Sequence, residues 1–123
     1  MDVRIGEAAR SLGLSLRTLR YYEERGLVRP ARGEGGQRWY AEDDLRTVRH
    51  VRTLLAAGLG TAVIAELLPC MRDDDGHPAP ACAELAGRLT QERDRISGAI
   101  ADLESARGTL ETIIAAAPAA AVG

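Results

Sequence analysis

Apolar residues change their spacing several times along the chain, and each change marks the boundary of a predicted element. The first predicted helix covers residues 5–12, and Gly13 ends it. Its apolar face is formed by Ile5, Ala8, Ala9 and Leu12. A second short helix begins after Ser15, a residue suited to capping a helix N-terminus, and runs to about residue 25. Two short helices joined by about three residues at a glycine are typical of a helix-turn-helix.

The next segment predicts a hairpin followed by two more helices. Residues 30–37 contain a proline and three glycines, so no regular element is expected there, and Arg38–Tyr40 predicts a short strand. A loop closed by such a strand would form a hairpin wing. A third helix is predicted over residues 42–57, with three acidic residues at its positive N-terminal end. Thr61 can cap a fourth short helix, which Pro69 ends.

A seven-residue apolar repeat follows Cys82 and predicts a long helix. The main row is Leu89, Ile96, Leu103 and Leu110, and a companion row is Ala86, Ile100 and Ile114. This spacing is close to the seam of a coiled coil, and the helix would be about 50 Å long. A lone helix would leave this stripe in water, so we expect it to pack on a second copy. The alternative, folding back on its own domain, requires a front half large enough to cover it.

Composition adds an uneven charge distribution to this picture. Residues 1–53 hold eleven Arg against eight acidic residues, whereas residues 54–123 hold five against ten. The four aromatic residues all fall within residues 21–40. No apolar run approaches the roughly 20 residues that span a bilayer, and no signal pattern opens the chain, so we expect a cytoplasmic protein with no membrane partner.

The second predicted helix has two distinct sides. At about 100° per residue, the adjacent Tyr21 and Tyr22 point in different directions. Leu19 and Tyr22 would face the core, with Leu16 near the edge of that side. The outer side carries Arg17, Arg20 and Tyr21, with Thr18 beside them. Such side chains donate hydrogen bonds to phosphates. A solvated charged face is the alternative; the cluster at residues 38–40, which a wing would place on the same side, favours a nucleic-acid surface.

Residues 5–45 resemble the N-terminal winged helix-turn-helix of the MerR family of bacterial transcription regulators. The resemblance rests on the order and spacing of Thr18-Leu19-Arg20-Tyr21-Tyr22-Glu23, Gly26-Leu27, Pro30, Arg38 and Tyr40. It extends through the helix pair and the long helix. We therefore expect a mostly α fold: a winged helix-turn-helix domain with a small β-hairpin wing and a helix pair over 1–69, a linker over 70–81, a dimerisation helix over 82–116 that forms an antiparallel coiled coil, and a flexible tail over 117–123.

The resemblance also implies roles for individual residues. Arg17 and Thr18 would enter the major groove, and Arg20 and Tyr21 would contact the DNA backbone at its edge. Arg38, supported by Tyr40, would reach flanking phosphates or the minor groove. Either Arg49 or Arg52 could add backbone contacts from the third helix. The dimer contacts are assigned to Leu89, Ile96, Ile100, Leu103, Leu110 and Ile114.

By the same resemblance, a homodimer would bind a pseudo-palindrome in double-stranded promoter DNA. The promoter spacer would be too long for RNA polymerase, and the dimer would bend and untwist it to realign the promoter elements. Activation and repression are both open.

Three residues near the linker are candidates for an effector or redox site: Cys70, His77 and Cys82. Because cytoplasmic thiols stay reduced, the cysteines are expected to be thiols or ligands rather than a disulfide. A metal ion at Cys82 and Cys70, a thiol-reactive switch and two inert linker residues are the alternatives. No Cys or His follows Cys82, so the paired-cysteine loop of metal-sensing relatives is missing, and no cofactor is assigned. His50 is expected on the surface of the third helix.

The leading hypothesis is a homodimeric DNA-binding regulator. One alternative is an interaction protein that uses the coiled coil to join partners and keeps the winged domain as a scaffold; such a protein would not need an arginine surface. An enzyme is not expected, because the sequence places no nucleophile, base and acid together.

Overall fold

The computed structural model describes residues 2–119 and divides the chain into two units. We call residues 1–85 the head and residues 86–123 the long-helix unit. The head carries eleven of the twelve elements described, and the long-helix unit continues the last one. Residues 120–123 of the predicted tail lie outside the described residues.

The head begins with a strand and the two predicted short helices. Strand β1 is Val3–Arg4, helix α1 is Ile5–Leu12 and helix α2 is Leu16–Glu24. Gly13 ends α1 in the left-handed conformation, at φ 68°, which glycine adopts without steric cost. The Ser15 hydroxyl accepts a hydrogen bond from the Thr18 N–H at 3.1 Å and caps α2. The predicted helix-turn-helix is confirmed, including its cap.

The wing is a small three-stranded sheet. Strand β2 is Ala31–Arg32 and strand β3 is Arg38–Tyr40, joined through a 3-10 turn at Glu34–Gly36. Strand β3 lies in the middle and pairs antiparallel with both β1 and β2. The hairpin was predicted; β1 was not, because two residues are too few to show strand periodicity.

Helices α3 and α4 complete the core of the head. Helix α3 is Glu42–Ala56 and helix α4 is Thr61–Leu67. Residue Gly60, rather than Thr61, occupies the N-cap position of α4, and no side chain caps this helix. The core is closed by aliphatic side chains and two tyrosines: Ala8, Ala9, Leu12, Leu19, Tyr22, Leu27, Val28, Tyr40, Leu45, Val48, Val51, Leu54, Leu59, Ile64 and Leu67.

The expected linker over 70–81 is instead a β-hairpin. A 3-10 turn, Leu68–Cys70, leads into strand β4, Met71–Asp74, which pairs antiparallel with strand β5, His77–Pro80. Asp75 and Gly76 both have positive φ, as a two-residue Asp-Gly hairpin turn requires. In a two-stranded hairpin each strand is an edge, so the two prolines of β5 are tolerated. The prolines of this segment do not prevent strand pairing, and the Asp-Gly pair was the signal for the turn that the linker prediction missed.

Helix α5, Ala83–Ala115, agrees with the predicted long helix to within a residue at each end. Apart from Leu85 near its start, it buries no side chain within this chain. Among the described residues, none of the helices has the length and apolar character needed to cross a membrane.

Candidate nucleic-acid interface

Helix α2 separates its side chains into two faces, as its periodicity predicted. Leu19 and Tyr22 are buried, whereas Arg17, Arg20 and Tyr21 are exposed. Thr18 is half-buried, and its hydroxyl lies 2.9 Å from that of Ser15. Within residues 2–119, the guanidinium groups of Arg17 and Arg20 form no hydrogen bond or ion pair. Two cations without acidic partners therefore stand on one exposed helix face.

The large apolar side chains that are exposed in the head lie on the same helix. Among the large apolar side chains described there, only Leu16, at 41%, and Tyr21, at 42%, are markedly exposed. Leu16 is the first residue of α2, where recognition helices meet base edges. The sequence interpretation placed Leu16 near the edge of the core side, so its exposure was missed.

Tyr21 is held in place by a residue that the sequence interpretation did not assign to the surface. The Arg25 Nε donates a hydrogen bond to the Tyr21 hydroxyl at 3.2 Å, and the guanidinium carbon lies 5.5 Å from the ring centroid. This hydrogen bond and the positive charge of Arg25 lower the pKa of Tyr21. Arg25 therefore adds positive charge beside Tyr21, one helical turn beyond it.

The wing is fastened to α2 by Glu23. Its carboxylate accepts a hydrogen bond from the Arg38 Nε at 2.6 Å and another from the Tyr40 hydroxyl at 3.2 Å. Burial, followed by the negative charge of Glu23, raises the pKa of Tyr40. Tyr40 is fully buried, so its own side chain does not face DNA; it lies in the core and shares the Glu23 carboxylate with Arg38. Arg38 stays partly exposed, with 27% of its side chain accessible.

The two arginines proposed on α3 differ in their surroundings. Arg52 donates from Nη1 to the Leu12 carbonyl at 2.9 Å, which satisfies a carbonyl at the end of α1. The Arg49 guanidinium is exposed and makes no such contact within the described residues. Of the two arginines, Arg49 is therefore the one whose guanidinium group is available for a contact with a DNA backbone.

The hairpin contradicts two expectations made from the sequence. His50 is buried, at 6% exposure, because Asp73 of β4 covers it; the His50 Nε2 lies 2.6 Å from the Asp73 Oδ1. That hydrogen bond from His50, with a second from the Gly76 N–H, lowers the pKa of Asp73. The cysteines are joined as a Cys70–Cys82 disulfide, with 6.0 Å between their Cα atoms, rather than being separate thiols.

The three candidate effector residues do not converge. The cysteines flank the open end of the hairpin, whereas His77 pairs with Asp74 beside the turn at its opposite end. Within residues 2–119, no three His, Cys, Asp or Glu side chains are grouped so that they could hold a metal ion.

These features define a winged helix-turn-helix protein with a basic recognition helix. The family model described as MerR HTH family regulatory protein matches residues 3–70. The chain therefore belongs to the MerR family: it is a DNA-binding transcription regulator and not an enzyme. The resemblance drawn from residues 5–45 is confirmed.

Several relatives resemble the chain along most of its length. The regulator HmrR of Rhizobium leguminosarum bv. viciae is 34% identical over 112 residues, 91% of this chain and 84% of that protein. HiNmlR, a MerR family regulator lacking the sensor domain and solved bound to promoter DNA, is 25% identical with a TM-score of 0.61, covering 94% of this chain and 89% of that one. PbrR691 of Ralstonia metallidurans CH34 shares the fold at a TM-score of 0.75 and 24% identity, covering 95% and 89%.

Proposed function

We propose that this regulator acts as a homodimer that binds an inverted repeat in promoter DNA and controls transcription by distorting the spacer. The observation that carries the DNA-binding surface is the exposed face of α2, where Arg17 and Arg20 have no acidic partner. Phosphate contacts would supply their missing counter-charge.

The N-terminal end of α2 would enter the major groove. Arg17 and Thr18 would face base edges there, together with the exposed Leu16, whose apolar side chain suits a thymine methyl group. Arg20 and Tyr21 would lie along the phosphate backbone. The wing would add a contact from Arg38, whose Nε is held by the Glu23 carboxylate at 2.6 Å. Helix α3 would add a contact from Arg49. Base contacts and backbone contacts would thus come from different elements of the head.

The dimer would be formed by the apolar stripe of α5. Ile100 is 51% exposed, Leu103 is 71% exposed and Leu110 is 58% exposed, which is costly for a helix in water. Leu103 and Leu110 are seven residues apart and Ile100 lies in the companion row, a pattern that suits a second copy of the same helix in an antiparallel coiled coil. Two-fold symmetry would then present two α2 helices to the two half-sites.

The regulated quantity would be the shape of the DNA rather than occupancy alone. A dimer that bends and untwists a long spacer would bring the two promoter elements into register for RNA polymerase. The protein would work in the cytoplasm, with the chromosome. The alternative of a scaffold protein is disfavoured by the arginines of α2, which a scaffold does not need.

The signal would act at the Cys70–Cys82 segment. A metal ion is the weaker option, because a closed metal site needs about four ligands and His77 lies away from both sulfurs. The paired sulfurs favour thiol-linked control.

Salt dependence of DNA binding tests the proposed surface. Arg20→Ala should weaken binding to operator and unrelated duplexes alike, and should lower the slope of log K against log salt by about two, one phosphate contact per subunit. Arg95→Ala removes the same charge from the exposed surface of α5 and is the matched control. Equal slopes for Arg20→Ala, Arg95→Ala and the unaltered protein would rule out this face as the phosphate-binding surface.

The spacer mechanism has its own test. Transcription in vitro from the target promoter should depend on the protein, and shortening the spacer to a length that polymerase tolerates unaided should remove that dependence. Continued activation on the shortened promoter would contradict spacer distortion while leaving DNA binding intact.

A further inference from the structure

The Cys70–Cys82 disulfide closes the base of the β4–β5 hairpin. Cys70 ends the 3-10 turn after α4, and Cys82 directly precedes α5. The Ala81 N–H donates to the Cys70 carbonyl at 2.7 Å, so a backbone hydrogen bond holds the two ends together beside the sulfurs. Both cysteine residues are half-buried rather than fully enclosed by the head.

The chemical surroundings of a promoter-binding protein make such a bridge informative. The bacterial cytosol keeps thiols reduced, and disulfides found there are usually transient and catalytic or redox-sensing. The chain has two cysteines in all, and they pair with each other. The bridge can therefore form and break without a cysteine from a second subunit.

The hairpin closed by this bridge contacts the DNA-binding part of the head. Strand β5 packs against α3, and Asp73 of β4 covers the buried His50 of α3 at 2.6 Å. Arg49, the exposed arginine proposed to contact DNA, directly precedes His50 in α3. Opening the base of the hairpin would loosen the strand that holds Asp73 over His50, and so would change how α3 is supported next to the DNA.

We propose that Cys70 and Cys82 form a reversible dithiol–disulfide pair that senses hydroperoxides and sets the affinity of the head for promoter DNA. This inference rests on the proposed function. It assigns the signal class to the thiol-linked control and gives the hairpin the role of transmitting it.

The reaction balances with a hydroperoxide as the oxidant. One cysteine thiolate attacks the peroxide O–O bond, which breaks to give a sulfenic acid and, after protonation, an alcohol or water. The second thiol attacks the sulfenic sulfur and forms the S–S bond, while the sulfenic oxygen leaves as water. Overall, two thiols and one hydroperoxide give one disulfide, one alcohol and one water. A dithiol reductant of the thioredoxin class returns two electrons and two protons and restores both thiols.

Intact-mass measurement and DNA binding together test the proposal. Reduced full-length protein is treated with hydrogen peroxide, and its mass should fall by about 2 Da per chain as two hydrogens are lost. Thioredoxin with its reductase should restore the mass. Affinity for promoter duplexes selected from random DNA should differ between the two states by at least about five-fold, the lower end of usual allosteric couplings.

Variants separate sensing from a structural bridge. Cys70→Ser combined with Cys82→Ser should bind DNA with one affinity, with or without peroxide, and circular dichroism should show that it is folded. Asp73→Asn should still lose about 2 Da on oxidation, but its two states should differ less in DNA affinity, whereas the matched Asp74→Asn should behave like the unaltered protein.

The overturning results are distinct. Equal DNA affinity of the two states, with the mass change present, would show that the bridge is structural. A disulfide that thioredoxin cannot reduce would exclude a reversible sensor. Failure of both states to bind any selected duplex would overturn the proposed function and this inference with it.

Discussion

Helices α2 and α5 carry similar aliphatic residues, yet they differ in how far these residues are buried within the chain. In α2, Leu19 is fully buried by the rest of the head. In α5, Leu103 is 71% exposed, although it sits in a more regular apolar repeat. The head satisfies its own pattern within one chain, and no buried side-chain nitrogen or oxygen among the described residues lacks a hydrogen-bond partner.

The contrast shows that an apolar pattern specifies a face but not what covers that face. The head has several helices and strands that pack together, so each apolar face of the head is covered by another element of the head. The long-helix unit supplies one helix, so its pattern requires something outside the described chain. The proposed functions follow the same division, with DNA contacts in the head and self-association in α5.

The largest effect is expected from a substitution that disrupts the proposed dimer interface of α5 and leaves the head unchanged. Leu103→Lys should raise the dimer dissociation constant at least about 100-fold, since both subunits lose a buried leucine worth about 1.5–3 kcal/mol each. Sedimentation equilibrium measures this, and the thermal unfolding of the head should stay unchanged. Ala101→Lys, on the same helix but off the apolar rows, is the control. A Leu103→Lys protein that is still dimeric at micromolar concentration would refute the assigned seam.

A smaller effect is expected inside the head, where Glu23 joins α2 to the wing. Glu23→Ala should lower the free energy of unfolding by about 2 kcal/mol, because it leaves the buried Tyr40 hydroxyl without its acceptor and removes the partner of Arg38. Urea denaturation followed by circular dichroism measures the loss. Glu24→Ala, exposed on the same helix, should change it by less than about 0.5 kcal/mol. Equal losses in the two variants would mean that Glu23 does not hold the wing.

Among the large aliphatic side chains described in the head, Leu16 is the exception, because it is exposed. Leu16→Ala should leave the unfolding free energy within about 0.5 kcal/mol but weaken operator binding about five-fold, the loss of one thymine-methyl contact. Operators with deoxyuridine in place of single thymidines should show where that contact lies: the unaltered protein should be sensitive at one position per half-site, and Leu16→Ala should not. Leu19→Ala, by contrast, should cost about 2–5 kcal/mol of stability. If deoxyuridine weakened operator binding equally for Leu16→Ala and the unaltered protein, the contact would be excluded.

The smallest effect concerns the pH dependence of the Asp73–His50 hydrogen bond. In the folded head the pKa of Asp73 lies below its ordinary value of 3.8, first through the hydrogen bond from His50 and then through that from Gly76. A lowered folded pKa stabilises the head above that ordinary value, and the stabilisation is lost as the pH falls through the folded pKa. The melting temperature of Asp73→Asn should therefore lie below that of the unaltered protein at pH 6, and the difference should shrink below about pH 3.8. A constant difference would point to another cause, and Asp74→Asn provides the control.

Local rules predicted much of the fold and the two faces of α2. Periodicity located the bounds of α1 and α5 to within a residue, and helical phase separated Tyr21 from Tyr22. These predictions succeed because they depend on neighbours three or four residues apart. The burial of His50 could not be predicted in this way, because its cover, Asp73, lies 23 residues away.

The amino-acid sequence alone determined the family, the helix-turn-helix, the two sides of its second helix and the seven-residue apolar repeat of α5, since each depends on short-range spacing. Only the tertiary structure decided that Tyr40 belongs to the core, that Glu23 holds Arg38, and that Cys70 and Cys82 meet at the base of a hairpin. Those facts depend on contacts between elements that are distant in the chain, and residue spacing within one element carries no information about which other element will cover it.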